Sequence, residues 1–181
     1  MQFDNAFTAA TNSLAGMFPW LDYTALFFAE VVIYLLVLSI AVTWFLRSER
    51  EAWRFRAISC GLAVALGLLM NQAILLFAAR TRPYDLGLTH LIVEKSADPS
   101  FPSDHATVAF AIAFLLLFRR DRFAGPYLAI AILVGLARIF IGTHFLTDVL
   151  GGAAVAFVAA AVIHKLYRPE SRLNRFLVRI L

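Results

Sequence analysis

The chain has 181 residues, 61% of them hydrophobic and 15% charged, with a formal net charge of +4 and one cysteine. Soluble domains carry roughly 45–50% apolar residues, so this excess, gathered in long blocks, excludes an ordinary soluble domain and reads as membrane-embedded. The single Cys60 excludes an internal disulfide and a thiolate metal cage, and residues 1–16 lack the basic start of a cleavable signal peptide.

In chain order, residues 3–19 place Phe3, Phe7, Leu14 and Phe18 near helical spacing, with Pro19 closing the run. Residues 1–22 therefore read as an outer interfacial helix. Five apolar segments follow, at residues 23–46, 57–79, 106–118, 126–141 and 148–166. The third is short unless it borrows the turn at Pro102. Each reads as a helix, because lipid leaves no partner for unpaired backbone. In the tail, residues 167–181, Arg168, Arg172, Arg175 and Arg179 recur at steps of three and four, with Leu173, Phe176, Leu177 and Ile180 between them. This predicts a basic amphipathic helix on the inner leaflet. The expected fold is all-α: one membrane-embedded domain over residues 1–181, a bundle of five transmembrane helices with flanking amphipathic helices.

The charges orient this set. Arg47, Arg50, Arg54 and Arg56 lie between the first two spans, and Arg119, Arg120 and Arg122 between the third and fourth. Lys165 and the tail arginines follow the fifth. The other side holds Arg80, Arg82 and Lys95. Basic loops stay in the cytoplasm, so the amino terminus is expected outside and the carboxyl terminus inside.

The predicted outer face collects the polar residues that the spans exclude. Arg80 and Arg82 stand at the outer end of the second span. Ser103, Asp104 and His105 open the third, and Arg138, His144 and Asp148 lie around the turn between the fourth and fifth. Pro102-Ser103-Asp104-His105 predicts a helix start, whose free N–H groups bind anions such as phosphate. His144 and Asp148 are four apart and would share a face if on one helix. A carboxylate there can fix the imidazole tautomer and leave the other nitrogen free to attack. The Arg138 fork suits two phosphate oxygens. Glu30, about seven residues into the first span, is expected to pair with Arg80 or Arg82. No carboxylate cluster suited to a metal is visible, so neither metal nor cofactor is expected. A small transporter would instead spread charges at mid-depth, where only Glu30 and Asn71 occur.

These residues resemble the type 2 phosphatidic acid phosphatase superfamily, whose motifs are Lys-x6-Arg-Pro, Pro-Ser-Gly-His and Ser-Arg-x5-His-x3-Asp. Here the first keeps Arg82-Pro83. The second is Pro102-Ser103-Asp104-His105. The third is Ala137-Arg138, then His144 and Asp148. The stretch Phe-Pro-Ser-Asp-His-Ala-Thr looks like the bacterial undecaprenyl-diphosphatase branch associated with bacitracin resistance. Three positions depart: Leu75 stands for the family lysine, Asp104 for glycine and Ala137 for serine. Arg80 is the expected substitute for the lysine.

The resemblance implies a metal-independent hydrolase in the bacterial plasma membrane with its site facing outward. His144 would attack the terminal phosphorus of a lipid diphosphate, Asp148 would hold the imidazole, and His105 would serve the leaving group and then water. Arg80, Arg82, Arg138 and the N–H groups of Ser103 and Asp104 would hold the phosphate. The partners expected are the lipid substrate and membrane lipids, with no nucleic acid. Phosphatidylglycerophosphate or phosphatidate hydrolysis, and lipid phosphotransfer, are the alternatives within the class.

Overall fold

The structure, a computed structural model, describes residues 2–45, 50–171 and 174. Among these residues every regular element is helical. The first helix, α1, is Gln2–Asn12. Next, α2 (Pro19–Leu26) passes through a π-helical turn, Phe27–Val31, into α3 (Val32–Thr43), giving one helix of 25 residues. Then come α4 (Arg50–Leu75), α5 (Asp104–Phe118), α6 (Ala124–Phe140) and α7 (Leu146–Leu166). The α2–α3 helix, α4 and α7 are long and apolar enough to cross a membrane. At 1.5 Å per residue they run about 31–39 Å, against about 30 Å of hydrocarbon. The shorter apolar helices α5 and α6 have 15 and 17 residues.

All five predicted apolar segments are helical, but their ends move. Pro19 opens α2 instead of closing α1, because its fixed φ and missing N–H suit a first turn. The second apolar helix starts at Arg50 and stops at Leu75. Its basic first turns are held by stacking: Arg54 lies over Trp44 at 4.6 Å and Arg56 over Trp53 at 4.1 Å. Arg80 and Arg82 consequently lie on the loop after α4, not at a helix end. The predicted tail helix falls largely on residues 172–173 and 175–181, outside the described residues.

The interfacial helix also differs from its prediction. The expected apolar face, Phe3 to Phe18, is not what α1 buries. Its buried residues are Asp4, Thr8 and Asn12, a polar stripe at helical spacing. Phe3 stays exposed, and only Phe7 packs against the core.

The bundle is built around α5, which packs against α4, α6 and α7. Past its first turn it is apolar nearly all round because most of its surface is covered, with Leu117 exposed near its end. Small residues let the backbones approach: Ala106, Ala109 and Ala113 on α5 and Ala156, Ala159 and Ala160 on α7 are fully buried. One close approach is near the site, where the Thr107 hydroxyl donates to the Gly152 carbonyl at 3.2 Å. A Cβ on Gly152 would lie 2.6 Å from the Ser103 carbonyl oxygen. By contrast, the α2–α3 helix exposes Tyr23, Phe27, Tyr34, Leu38 and Val42, a surface that suits lipid.

Gly152→Ala is therefore expected to force α5 and α7 apart, destabilising by about 1–3 kcal/mol. Detergent-solubilised protein should show a lower Tm and lower activity. Gly61→Ala, which meets nothing within 4 Å, is the control and should keep both. An unchanged Tm in Gly152→Ala would contradict the close approach.

Candidate active site

Three segments meet at one end of the bundle: the loop after α4, the start of α5, and the turn from α6 to α7. Gly142 makes that turn possible, with φ +87° and the His90 carbonyl oxygen only 2.7 Å from where a Cβ would sit. Just beyond it stands His144, buried, on the loop before α7. His144 and Asp148 thus do not share a helical face as their spacing predicted. Asp148 occupies the first turn of α7, and His144 approaches it from the preceding loop.

The imidazole of His144 has a defined tautomer. Its Nδ1 lies 2.9 Å from the Ser100 carbonyl oxygen, which can only accept, so Nδ1 carries the proton. The Asp148 carboxylate is further, at 3.6 Å from Nδ1. The nearest orienting group is therefore the Ser100 carbonyl, a backbone group that no side-chain motif singles out. Nε2 is left with its lone pair, and Arg82 Nη1 lies 3.4 Å away. Burial pushes this imidazole down to about 4; Asp148 opposes the shift, and the Arg138 and Arg82 guanidiniums add to it. The ring is neutral at neutral pH, the form in which an imidazole nitrogen can attack.

Asp148 has no solvent exposure. One oxygen accepts from the Ser100 hydroxyl and, at 2.8 Å, from the Phe145 N–H. The other accepts from Arg80 Nη1 at 2.8 Å. Its backbone carbonyl takes the Ser103 N–H at 3.1 Å, which ties the start of α5 to that of α7.

A cavity of about 260 Å³ collects the remaining groups. Arg82, Asp104, His105, Arg138 and His144 line it, together with Gln72 and Leu75 of α4 and Ser96 and Asp98 of the loop between α4 and α5. Arg82 and Arg138 differ from Arg80 in what holds them. Arg82 donates to backbone carbonyls, to Asp98 at 2.8 Å and to Thr143 at 3.0 Å, so no carboxylate cancels its charge. Arg138 donates from Nη1 to Glu30 at 2.5 Å and keeps a buried Nε without a partner. Arg80 lies outside the cavity lining and bridges two carboxylates, Asp4 at 2.7 Å and Asp148 at 2.8 Å.

Three expectations change accordingly. Arg80 lies away from the cavity, whose lining at the family lysine's position is Leu75, and its charge is paired with Asp4 and Asp148. Ser103 has its N–H taken by Asp148, so it has none left for a substrate, and its buried hydroxyl finds no partner. Glu30 pairs with Arg138 and not with Arg80 or Arg82, because α6 packs directly on the π-helical turn that carries it. Asp104 neither caps α5 nor turns away from the cavity. Its carboxylate accepts from the buried Asn71 amide of α4 at 2.6 Å. The N–H groups of Asp104 and His105, in the first turn of α5, have no helical acceptor and stand at the cavity. Gln72, Ser96 and Asp98 escaped the sequence reading. For Gln72 a signal existed: Asn71-Gln72 is a polar pair inside an apolar run. Among the described residues, no three His, Cys, Asp or Glu side chains group as metal ligands.

Residues 56–172 match the PAP2 superfamily. Undecaprenyl-diphosphatase BcrC of Bacillus subtilis is 33% identical over 138 residues, 76% of this chain and 70% of that protein. The bacitracin transport permease protein BcrC of Bacillus licheniformis is 28% identical, over 84% of this chain and 74% of its own length. Among solved structures, the transmembrane PAP2-type phosphatidylglycerolphosphate phosphatase of Bacillus subtilis superposes with a TM-score of 0.69 at 24% identity. That match covers 94% of this chain and 87% of the other.

Two outcomes follow from this geometry. The acid limb that His144 imposes on kcat/KM, after correction for substrate ionisation, should fall below about pH 5, under the ordinary histidine value of about 6.5. A limb at the ordinary value would mean that His144 is not buried and neutral. Glu30→Gln should lower kcat/KM by about tenfold without unfolding the protein, since it frees Arg138 from its partner. Wild-type kinetics in that variant would show that the pair does not orient the guanidinium.

Proposed function

Because the chain belongs to the PAP2 superfamily and is a multi-pass membrane lipid phosphatase, we propose that its substrate is undecaprenyl diphosphate. On this reading it is hydrolysed to undecaprenyl phosphate and phosphate at the outer face of a bacterial plasma membrane. The observation that carries the reading is one polar cavity joined to one apolar groove. Asp104 and His105 line the cavity, and they also line a groove of about 610 Å³ formed by Ile33, Tyr34, Val37, Val64, Leu68 and Val108. The first part of a prenyl chain can lie in the groove, with the rest in the bilayer, while its diphosphate meets the cavity. The 33% identity to an undecaprenyl-diphosphatase supports the substrate. The basic residues at the opposite end of the bundle support the orientation.

The chemistry begins with His144 Nε2, which attacks the terminal phosphorus. The P–N bond forms as the P–O bond to the lipid monophosphate breaks. Asp148 and the Ser100 carbonyl hold the imidazole in its reactive tautomer and stabilise the cation that develops. His105 protonates the leaving oxygen, then takes a proton from the water that cleaves the phosphohistidine. Arg82, Arg138 and the first-turn N–H groups of α5 face the equatorial oxygens, where charge gathers. The arginines provide the positive charge for this route.

Transport, which the name of the Bacillus licheniformis relative raises, would ask for a polar path through the bundle. Two polar groups inside the spans, Glu30 and Asn71, point the other way. Glu30 is bound to Arg138, and Asn71 is bound to Asp104, so both belong to the cavity.

Purified protein should release phosphate from undecaprenyl diphosphate faster than from phosphatidylglycerophosphate or phosphatidate, with EDTA present, and vanadate should inhibit. Activity abolished by EDTA and restored by Mg²⁺ would overturn the metal-free route, and a preference for phosphatidate would overturn the substrate. His144→Ala should lose about 10⁴-fold or more in kcat. His105→Ala should lose about 10²–10⁴-fold, least with a leaving group that needs no proton. An active His144→Ala beside a dead His105→Ala would reverse the roles.

A further inference from the structure

The stripe that α1 buries is not an apolar anchor. Asp4, Thr8 and Asn12 are 5%, 0% and 4% exposed, and the first two address the start of α7. The Leu146 N–H donates to the Thr8 hydroxyl at 3.3 Å, and the Thr147 N–H donates to Asp4 Oδ1 at 3.0 Å. These are first-turn N–H groups with no partner inside their own helix. The other Asp4 oxygen, Oδ2, accepts from the Thr147 hydroxyl at 2.6 Å and from Arg80 Nη2 at 2.7 Å. Arg80 Nη1 then donates to the Thr147 hydroxyl at 2.6 Å and to Asp148 Oδ1 at 2.8 Å. The guanidinium lies over the Phe145 ring at 3.7 Å, which fixes its plane. The chain Asp4–Arg80–Asp148 is continuous and ends on the carboxylate that faces His144. Asp4 lies outside the family match, which begins at residue 56.

We propose that Asp4 is a positioning residue for the phosphatase reaction, sharing the charge of Arg80 so that Asp148 keeps its negative charge for His144. The inference rests on the roles given above to His144 and Asp148. One cation lies between two carboxylates, so the group carries a net negative charge. Without Asp4, Arg80 would pair with Asp148 alone. Asp148 would then be neutralised, and the cation forming on His144 during attack would lose its support. Neither Asp4 nor Arg80 lines the substrate cavity, so the effect belongs in kcat and not in KM.

The test compares four forms of the full chain in detergent: wild type, Asp4→Asn, Asp4→Glu and Asn12→Ala. Each is assayed on whichever of undecaprenyl diphosphate, phosphatidylglycerophosphate and phosphatidate the wild type turns over. Failure of the wild type on undecaprenyl diphosphate overturns the proposed substrate alone, and the comparison then proceeds on the others. Asp4→Asn should lose about tenfold in kcat with KM unchanged, the size typical of an outer-shell partner of an active group. Asp4→Glu, which keeps the charge, should retain most of the rate. Asn12→Ala loses the bonds of α1 to His90 and Phe140, so it should lower Tm while keeping kcat. An Asp4→Asn rate equal to wild type would overturn the proposal. So would equal rate losses in Asp4→Glu and Asp4→Asn, or a fall in kcat in Asn12→Ala matching that of Asp4→Asn. If Asp4→Asn does not fold, Asp4→Glu against Asn12→Ala decides in the same way.

Discussion

A carboxylate sealed from solvent at the end of an apolar bundle costs several kcal/mol unless its oxygens are paired. Asp148 is such a group, and the surrounding chain is arranged to pair it. The loop after α4 supplies Arg80 and the Ser100 hydroxyl, and the residue before α7 supplies the Phe145 N–H. The same position anchors α5, whose first residues hang from the Asp148 carbonyl through Ser103. It therefore sets both the placement of His105 and the distance to His144. A fault at Asp148 would disturb His144, His105 and the packing of α5 on α7 together.

The three arginines at this end divide the work by what neutralises them. Arg80 is bridged between two carboxylates and acts within the protein. Arg138 has one carboxylate partner and a free buried Nε. Arg82 meets backbone carbonyls, the Ser96 hydroxyl and His144 Nε2 but no carboxylate among the described residues, so its charge is the least cancelled and the most available to an anion. Reading all three as equal phosphate ligands misses this, because a guanidinium already bridging two carboxylates offers an incoming phosphate little attraction.

Much of the plan was legible in the sequence. Long apolar blocks specify helices, and the Pro-Ser-Asp-His turn specifies the start of α5. The spacing of Arg138, His144 and Asp148 brings those three together in the fold. What the sequence hid was partnership. Glu30 reads as a costly acid needing a cation, but periodicity cannot tell which of three arginines answers it. Only the packing of α6 on the π-helical turn chooses Arg138. The role of α1 was hidden for another reason. Hydrophobic residues draw the eye to Phe3, Phe7 and Phe18, yet the Asp4-Thr8-Asn12 stripe was equally regular. It goes inward because α7 offers N–H groups there that need acceptors. The Ser100 carbonyl, being backbone, left no trace in side-chain identity.

The central claim is that His144 Nε2 is the atom that takes the phosphoryl group. It is tested most directly by stopping the reaction of His105→Ala with undecaprenyl diphosphate labelled in its terminal phosphate. That variant keeps the nucleophile but lacks the base that activates water, so the covalent form should accumulate. The account predicts labelled protein whose phosphate is acid-labile and maps to the peptide carrying His144. Label on any other residue, or phosphate released with no labelled protein at any time, would contradict it.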